Sequence, residues 1–159
     1  QRSQVALGLL FAQDPELLIL DDFSMGLDPG YRRLFVEYLK EYASAENKTV
    51  FLTSHIIQDM EMLIDDCMIM DYGRLLLHKP VREIMDHFKR FRFRAPGPDF
   101  AWTGDSDFWN PSSLGGKWEV YSFLGEEEVA GRLASWGIKE LVAEKLSLED
   151  AFIGLTGKY

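Results

Sequence analysis

Two adjacent carboxylates, Asp21 and Asp22, close a run of four aliphatic residues, Leu17-Leu18-Ile19-Leu20, and a histidine, His55, follows the apolar stretch 49–53. Four aliphatics between Pro15 and an acidic pair predict a strand covered on both faces, as in a parallel sheet layered between helices. Sheets of that kind bind ligands at the carboxyl ends of their strands. There the first carboxylate of a pair can hold Mg²⁺ through water, and the second can orient or deprotonate an attacking water. An isolated Asp-Asp pair commonly does no more than start a solvated turn. The neighbouring segments Gly26-Leu27-Asp28-Pro29 and Thr53-Ser54-His55 shift the reading toward half of a nucleotide-hydrolysing site.

Hydrophobic periodicity supplies the elements that must position these groups. Val5, Leu9 and Ala12 mark a first helix. Tyr31, Leu34, Phe35, Tyr38, Leu39 and Tyr42 recur at helical spacing after Asp28 as cap and Pro29 in the first turn, and this aromatic stripe is expected in the core. Residues 48–53 form the next strand, with His55 just past its end and a helix carrying Ile56, Met60, Leu63 and Ile64 behind it. Two short strands flank Gly73, and Pro80 opens a helix with Val81, Ile84, Met85 and Phe88 on one face. In Lys89-Arg90-Phe91-Arg92-Phe93-Arg94 basic and aromatic residues alternate, as they could on a surface for single-stranded nucleic acid. An edge strand with Phe91 and Phe93 inward and arginines guarding the open side explains the pattern better, because no wider basic surface extends the strip.

The proline- and glycine-rich stretch 96–115 reads as a linker or long loop. Beyond it, 118–121 alternates as a strand, Val129, Ala130 and Leu133 give a short helix ended by Gly137, and 138–142 is a further strand. A last helix begins at Ser147 with Asp150 in capping-box spacing and stops at Gly157. The expected organisation is therefore 1–95, a linker 96–115, and a small α+β appendage 116–159.

From Gln1 to about His87 the sequence resembles the ATP-binding subunit of ABC transporters, in the second half of that domain. Asp21 matches the Walker B aspartate, and Asp22 stands where the family normally has its catalytic glutamate. Met25-Gly26-Leu27-Asp28 matches the D-loop, His55 matches the switch histidine, and Asp71-Tyr72-Gly73-Arg74 resembles the strand turn that follows it. Gln1 falls where the last residue of the LSGGQ signature would be. The segment from Ser147 to Gly157 resembles the close of ATP-binding subunits in the ABC-2 exporter group. The resemblance implies an α/β fold: the C-terminal part of a P-loop NTPase with a RecA-like parallel sheet and helices on both faces.

It also implies a mechanism. Two subunits close head to tail on two ATP molecules, with Mg²⁺ held by Asp21, water polarised by Asp22, the γ-phosphate contacted by His55, and the D-loop with Gly26 and Asp28 communicating across the dimer. The expected partners are that second ATP-binding subunit and a transmembrane permease subunit, which would hold the protein at the inner face of the cell membrane. Aspartate is one methylene shorter than glutamate, so its carboxylate falls about 1.5 Å short, a displacement that can cost about a hundredfold when geometry carries catalysis. Phe23 replaces a proline common after the acidic pair.

No Gly-x-x-x-x-Gly-Lys-Ser/Thr loop occurs in the sequence, so the lysine and backbone N–H nest that grip β- and γ-phosphates are not supplied by it. The chain is accordingly expected to be the C-terminal part of a longer ATPase and inactive alone. Its 159 residues, 47% hydrophobic and 27% charged, suit an ordered globular chain rather than a disordered one. A net charge of −9, weighted toward residues 96–159, argues against a nucleic-acid partner. No apolar stretch is long enough to cross a bilayer. The single Cys67 reads as a small buried hydrophobe in a reducing compartment, and His78 and His87 have no metal-site spacing to His55 or Cys67. Two other readings stand beside the transport ATPase: a partner subunit that binds nucleotide without turning it over, and a soluble ABC-type ATPase acting on ribosomes or DNA.

Overall fold

The aliphatic run forms a strand, β1 (Leu17–Asp21), and residues Thr49–Thr53 form β2 beside it. The two are parallel and paired from Leu17↔Thr49 to Asp21↔Thr53. Parallel neighbours need a crossover. The helix α2 (Pro29–Ala45) provides it, and a shorter helix, α1 (Arg2–Ala12), precedes β1. The protein is thus mixed α/β. A computed structural model describes residues 2–23, 26–45, 48–58, 60–103 and 105–157, and the chain divides into two compact units, 1–63 and 64–159.

In the first unit Leu18 and Leu20 are buried, whereas Leu17 and Ile19 are 52% and 66% exposed. The expectation of a strand covered on both faces is corrected here: one face of β1 is packed and the other is open, because no described element lies over it. The aromatic stripe of α2 behaves similarly. Val36 and Leu39 are buried, but Tyr31, Leu34 and Tyr38 face solvent. Phe11 from α1 sits against Phe35, Tyr38 and Tyr42 with ring centroids 5.0 to 5.7 Å away, mostly edge to face, the arrangement aromatic quadrupoles favour. Val5 and Leu9, read as the apolar face of α1, are exposed.

A polar clasp closes the turn between α1 and β1. The Tyr42 hydroxyl donates to Asp14 Oδ1 at 2.9 Å, and the Lys48 ammonium lies 2.9 Å from the same oxygen. The helix expected behind His55 is not formed by the described residues; successive turns, with Met60 N–H donating to Ile57 O and Leu63 N–H to Met60 O, bury Met60 instead. Apolar spacing alone does not distinguish a helix from turns that tuck in one side chain.

The second unit starts with a hairpin of β3 (Asp66–Asp71) and β4 (Arg74–Pro80), joined through Tyr72 and Gly73, both at positive φ. That pair of angles is the two-residue turn whose twist suits a hairpin. Burial pushes the half-buried Cys67 thiol's pKa up, so it stays protonated and packs as an apolar group. Helix α3 (Val81–His87) follows and buries Val81 and Ile84.

The rest is a four-stranded antiparallel sheet in the order β6-β7-β5-β8, with β5 (Lys89–Arg94), β6 (Trp109–Leu114), β7 (Lys117–Ser122) and β8 (Leu141–Lys145). Helices α4 (Glu126–Ser135) and α5 (Leu148–Thr156) complete it. Phe91 and Phe93 do turn inward, packing with Val120, Phe108 and the α4 residues Val129 and Leu133. The expected edge strand is corrected, since β5 is hydrogen bonded to β7 on one side and β8 on the other.

The boundary expected at residue 95 therefore falls inside one sheet. Residues 96–115 do not run free either: Phe100 and Trp102 pack on the core of that sheet, and Trp109–Leu114 form its edge strand. Pro111 fits there because an edge strand can spare an N–H, and the register breaks beside Asn110, which has φ 45°. The C-terminal helix matches its sequence signals. Ser147 accepts from the Asp150 N–H, and Gly157 closes the helix at φ 67° with its N–H donating to Ile153 O. Gly154 lets α5 approach the sheet, for a Cβ there would overlap the Tyr121 ring.

Candidate functional site

The sheet register brings the acidic pair and the histidine together. Asp21 and Thr53 are opposite each other at the carboxyl ends of β1 and β2, and His55 lies two residues beyond Thr53. The Thr53 hydroxyl donates to Asp21 Oδ1. The Asp22 N–H donates both to Thr53 O and to Thr53 Oγ1, each at 3.1 Å. Asp22 itself has φ 44°, a left-handed conformation uncommon outside glycine, where backbone strain is often tied to function.

With the chain turned this way, Asp22 Oδ1 lies 2.9 Å from His55 Nδ1. That is an ion-pair distance without hydrogen-bond alignment, so the buried oxygen remains an acceptor with no hydrogen-bond partner. His55 is 65% exposed and Asp22 27%, which puts the imidazole at the surface and the carboxylate beneath its edge. Ser54 fixes the turn that carries His55: its hydroxyl accepts from the Ile56 N–H at 3.0 Å.

Asp28 has a structural task of its own. Its Oδ1 accepts from the Gly30 and Tyr31 N–H groups and caps α2, satisfying donors that the helix cannot. Gly26, at φ 81°, is an exposed turn residue on the way to that cap. Gln1 lies outside the described residues, as does Met25 of the D-loop match. Asp21, Asp22 and His55 are thus gathered, while Asp28 and Gly26 organise the following helix. Thr53 enters the sequence reading only as part of a motif, and its bonds to the Asp21 carboxylate and the Asp22 backbone N–H come from the β1–β2 register, for which a single sequence carries no direct signal.

Lys89, Arg90 and Arg92 of the basic strip on β5 are paired with carboxylates of neighbouring elements. Arg90 and Arg92 reach Glu144 at 2.7 and 3.0 Å, Arg92 also lies 3.5 Å from Glu119, and Lys89 meets Glu126 at 2.5 Å. His78 and His87 are exposed on β4 and at the end of α3. Among the described residues no group of three or more histidines, cysteines and carboxylates gathers to cage a metal.

A mixed α/β unit with paired acids at one strand end and a histidine past its neighbour suits an ATPase domain. Residues 1–58 match the family model described as "AAA domain, putative AbiEii toxin, Type IV TA system", which supports the same class.

Curated relatives make the likeness specific. The chain is 38% identical to the energy-coupling factor transporter ATP-binding protein EcfA2 of Lactobacillus johnsonii over 84 residues, which cover 53% of this chain and 29% of that protein. It is 28% identical to the ABC transporter ATP-binding protein YhcH of Bacillus subtilis over 99% of its own length and 52% of the relative. Against the Nod factor export ATP-binding protein I of Burkholderia orbicola the figures are again 28%, 99% and 52%. All three are named as ATP-binding proteins, one of them of an ABC transporter, in agreement with the resemblance carried by the motifs. The chain spans about half the length, or less, of the curated relatives it matches.

Proposed function

We propose that this chain contributes the Walker B, D-loop and switch-histidine portion of a RecA-like ATPase that powers a bacterial ABC exporter, acting with a phosphate loop that its sequence does not contain. The complete ATPase is that combination. The observation that carries the reading is the meeting of Asp21, Asp22 and His55 at the ends of two parallel strands. Export is supported by one relative matched along 99% of this chain, which is named for Nod factor export.

The residues present fit Mg-ATP on two counts. Asp21 is exposed and Thr53 engages one of its oxygens, which leaves the other for a water-bridged cation. Asp22 Oδ1 is buried against His55 Nδ1, and the rest of its 27%-exposed side chain is open to a water. Bound Mg-ATP would supply the electrophilic phosphorus and neutralise charge on the phosphate oxygens. Within the chain, Asp22 orients the attacking water and takes its proton, and His55 holds that carboxylate while presenting its exposed edge toward the γ-phosphate.

The D-loop turn at Gly26 and the cap at Asp28 set the start of α2, from which the loop would meet a second ATP-binding subunit. Gln1 would be the last residue of the signature. A permease would anchor the pair at the inner face of the membrane; no helix among the described residues is long and apolar enough to cross one.

Asp22→Asn in the complete ATPase tests the assignment, since it keeps size and removes the base. ATP hydrolysis should fall at least about a hundredfold with ATP affinity retained, and an unchanged rate would place catalysis elsewhere. The 159-residue chain alone should release no phosphate from Mg-ATP above buffer. A second reading, a partner subunit that binds without turnover, draws on Asp22 standing where glutamate is usual; ATP binding by the unmodified complete protein without any hydrolysis would favour it.

A further inference from the structure

We propose that Thr53 is a positioning residue for the ATPase site: one hydroxyl fixes both carboxylates, by donating to Asp21 and by accepting from the backbone of Asp22. The inference rests on the ATPase reading above and adds a residue to it. A threonine hydroxyl has one proton and two lone pairs. The proton goes to Asp21 Oδ1, which assigns that oxygen to the protein and leaves the other one free. A lone pair takes the Asp22 N–H, which is shared with the Thr53 carbonyl at the same 3.1 Å.

Two acceptors on one N–H hold Asp22 in its left-handed turn. That turn points its carboxylate out of the strand direction and toward His55. Threonine suits the task because its branched Cβ restricts χ1 and so fixes the hydroxyl. Serine would keep both bonds on a freer rotor, and valine would keep the shape while losing both. Asp22 is shorter than the glutamate usual at this place, so its reach depends on where the backbone sets it down, and small misplacements of a reacting group are costly.

The experiment compares T53V and T53S in the complete ATPase. T53V should lower kcat about 10- to 100-fold with the KM for ATP changed less than about threefold, and should raise the Mg²⁺ concentration for half-maximal activity several-fold. T53S should recover kcat to within about threefold of the parent. A readout independent of turnover is hydrogen exchange at the Asp22 amide without nucleotide, which should quicken at least about tenfold in T53V and little in T53S. If T53V does not fold, T53A carries the same comparison.

Unchanged kcat and Mg²⁺ dependence in a folded T53V, or an Asp22 amide that exchanges as in the parent, would overturn the role of Thr53 while leaving the ATPase reading intact. Loss of stability in proportion to loss of rate, with no recovery in T53S, would also overturn it in favour of a packing role. If the parent protein itself does not hydrolyse ATP, the ATPase reading fails, and the amide exchange still decides whether Thr53 holds the turn.

Discussion

The two units use apolar residues in opposite ways. In 64–159 an aromatic cluster is closed: Phe91 and Val120 are fully buried, and Trp102 stacks on Trp118 and meets Trp136 and Phe108 edge to face, at centroid distances of 5.0 to 6.3 Å. In 1–63 the parallel pair carries the candidate site while Leu17, Ile19, Phe51, Tyr31 and Leu34 stay half or more exposed. The second unit spends its side chains on a core. The first spends its strand ends on holding charges in a defined geometry, with the strain of Asp22 included. Substitutions should therefore separate: in the second unit they should move stability, and in the first they should move chemistry.

The largest expected effect is on the core. Phe91→Ala should cost about 3–5 kcal/mol, because it removes a buried ring and leaves a cavity among packed aromatics. Chemical denaturation followed by tryptophan fluorescence would read it cleanly, since all four tryptophans lie in 64–159. A loss below about 1 kcal/mol would mean the cluster is looser than its burial implies.

His55→Ala sharpens the other side of the comparison. The complete ATPase should lose about a hundredfold or more in rate, equivalent to about 2.7 kcal/mol of barrier, while its stability changes by less than about 0.5 kcal/mol. A drop in melting temperature matched by the drop in rate would make His55 a packing residue and dissolve the contrast. Gly154→Ala should destabilise by about 1–3 kcal/mol, since its methyl must displace α5 from the Tyr121 ring; ATP turnover per folded molecule should hold steady. Ser147→Ala should cost about 1 kcal/mol through loss of the Asp150 N–H bond at the cap, measurable as a lowered denaturation midpoint.

The smallest effect concerns pH. Hydrogen bonds from Lys48 and Tyr42 hold the Asp14 carboxyl below the usual carboxylate range, with the Lys48 charge acting the same way. Its folded pKa lies below the unfolded one, so its contribution to stability is present above the unfolded value near 4 and is lost as pH falls through the folded value. Asp14→Asn should flatten that acid limb slightly in a stability-versus-pH series, and an unaltered limb would remove the clasp from the account.

Local signals were legible in the sequence because their chemistry is local. The Ser147–Asp150 cap, the Gly157 stop, the Asp28 cap and the turn at Tyr72-Gly73 each involve groups within four residues of one another. The inward facing of Phe91 and Phe93 was equally plain from alternation. Strand neighbours were not: alternation says which side chains turn inward but not whether one or two strands flank them, so the pattern of 89–94 by itself suggests an edge. The stretch 96–115 misled through composition, because prolines and glycines that mark loops also occur on edge strands, and Phe100 and Trp102 find their partners in strands distant along the chain.

The sequence by itself determined which residues could do chemistry, since the order of Asp21, Asp22, Asp28 and His55 is a property of the chain. Tertiary structure decided how they meet. Pairing Asp21 with Thr53 places a hydroxyl between the Asp21 carboxylate and the Asp22 backbone N–H, and the left-handed turn at Asp22 brings its side-chain oxygen to 2.9 Å from His55. Neither arrangement can be computed from spacing, because Asp22 and Thr53 stand 31 positions apart in the chain and only the register of two parallel strands closes that gap.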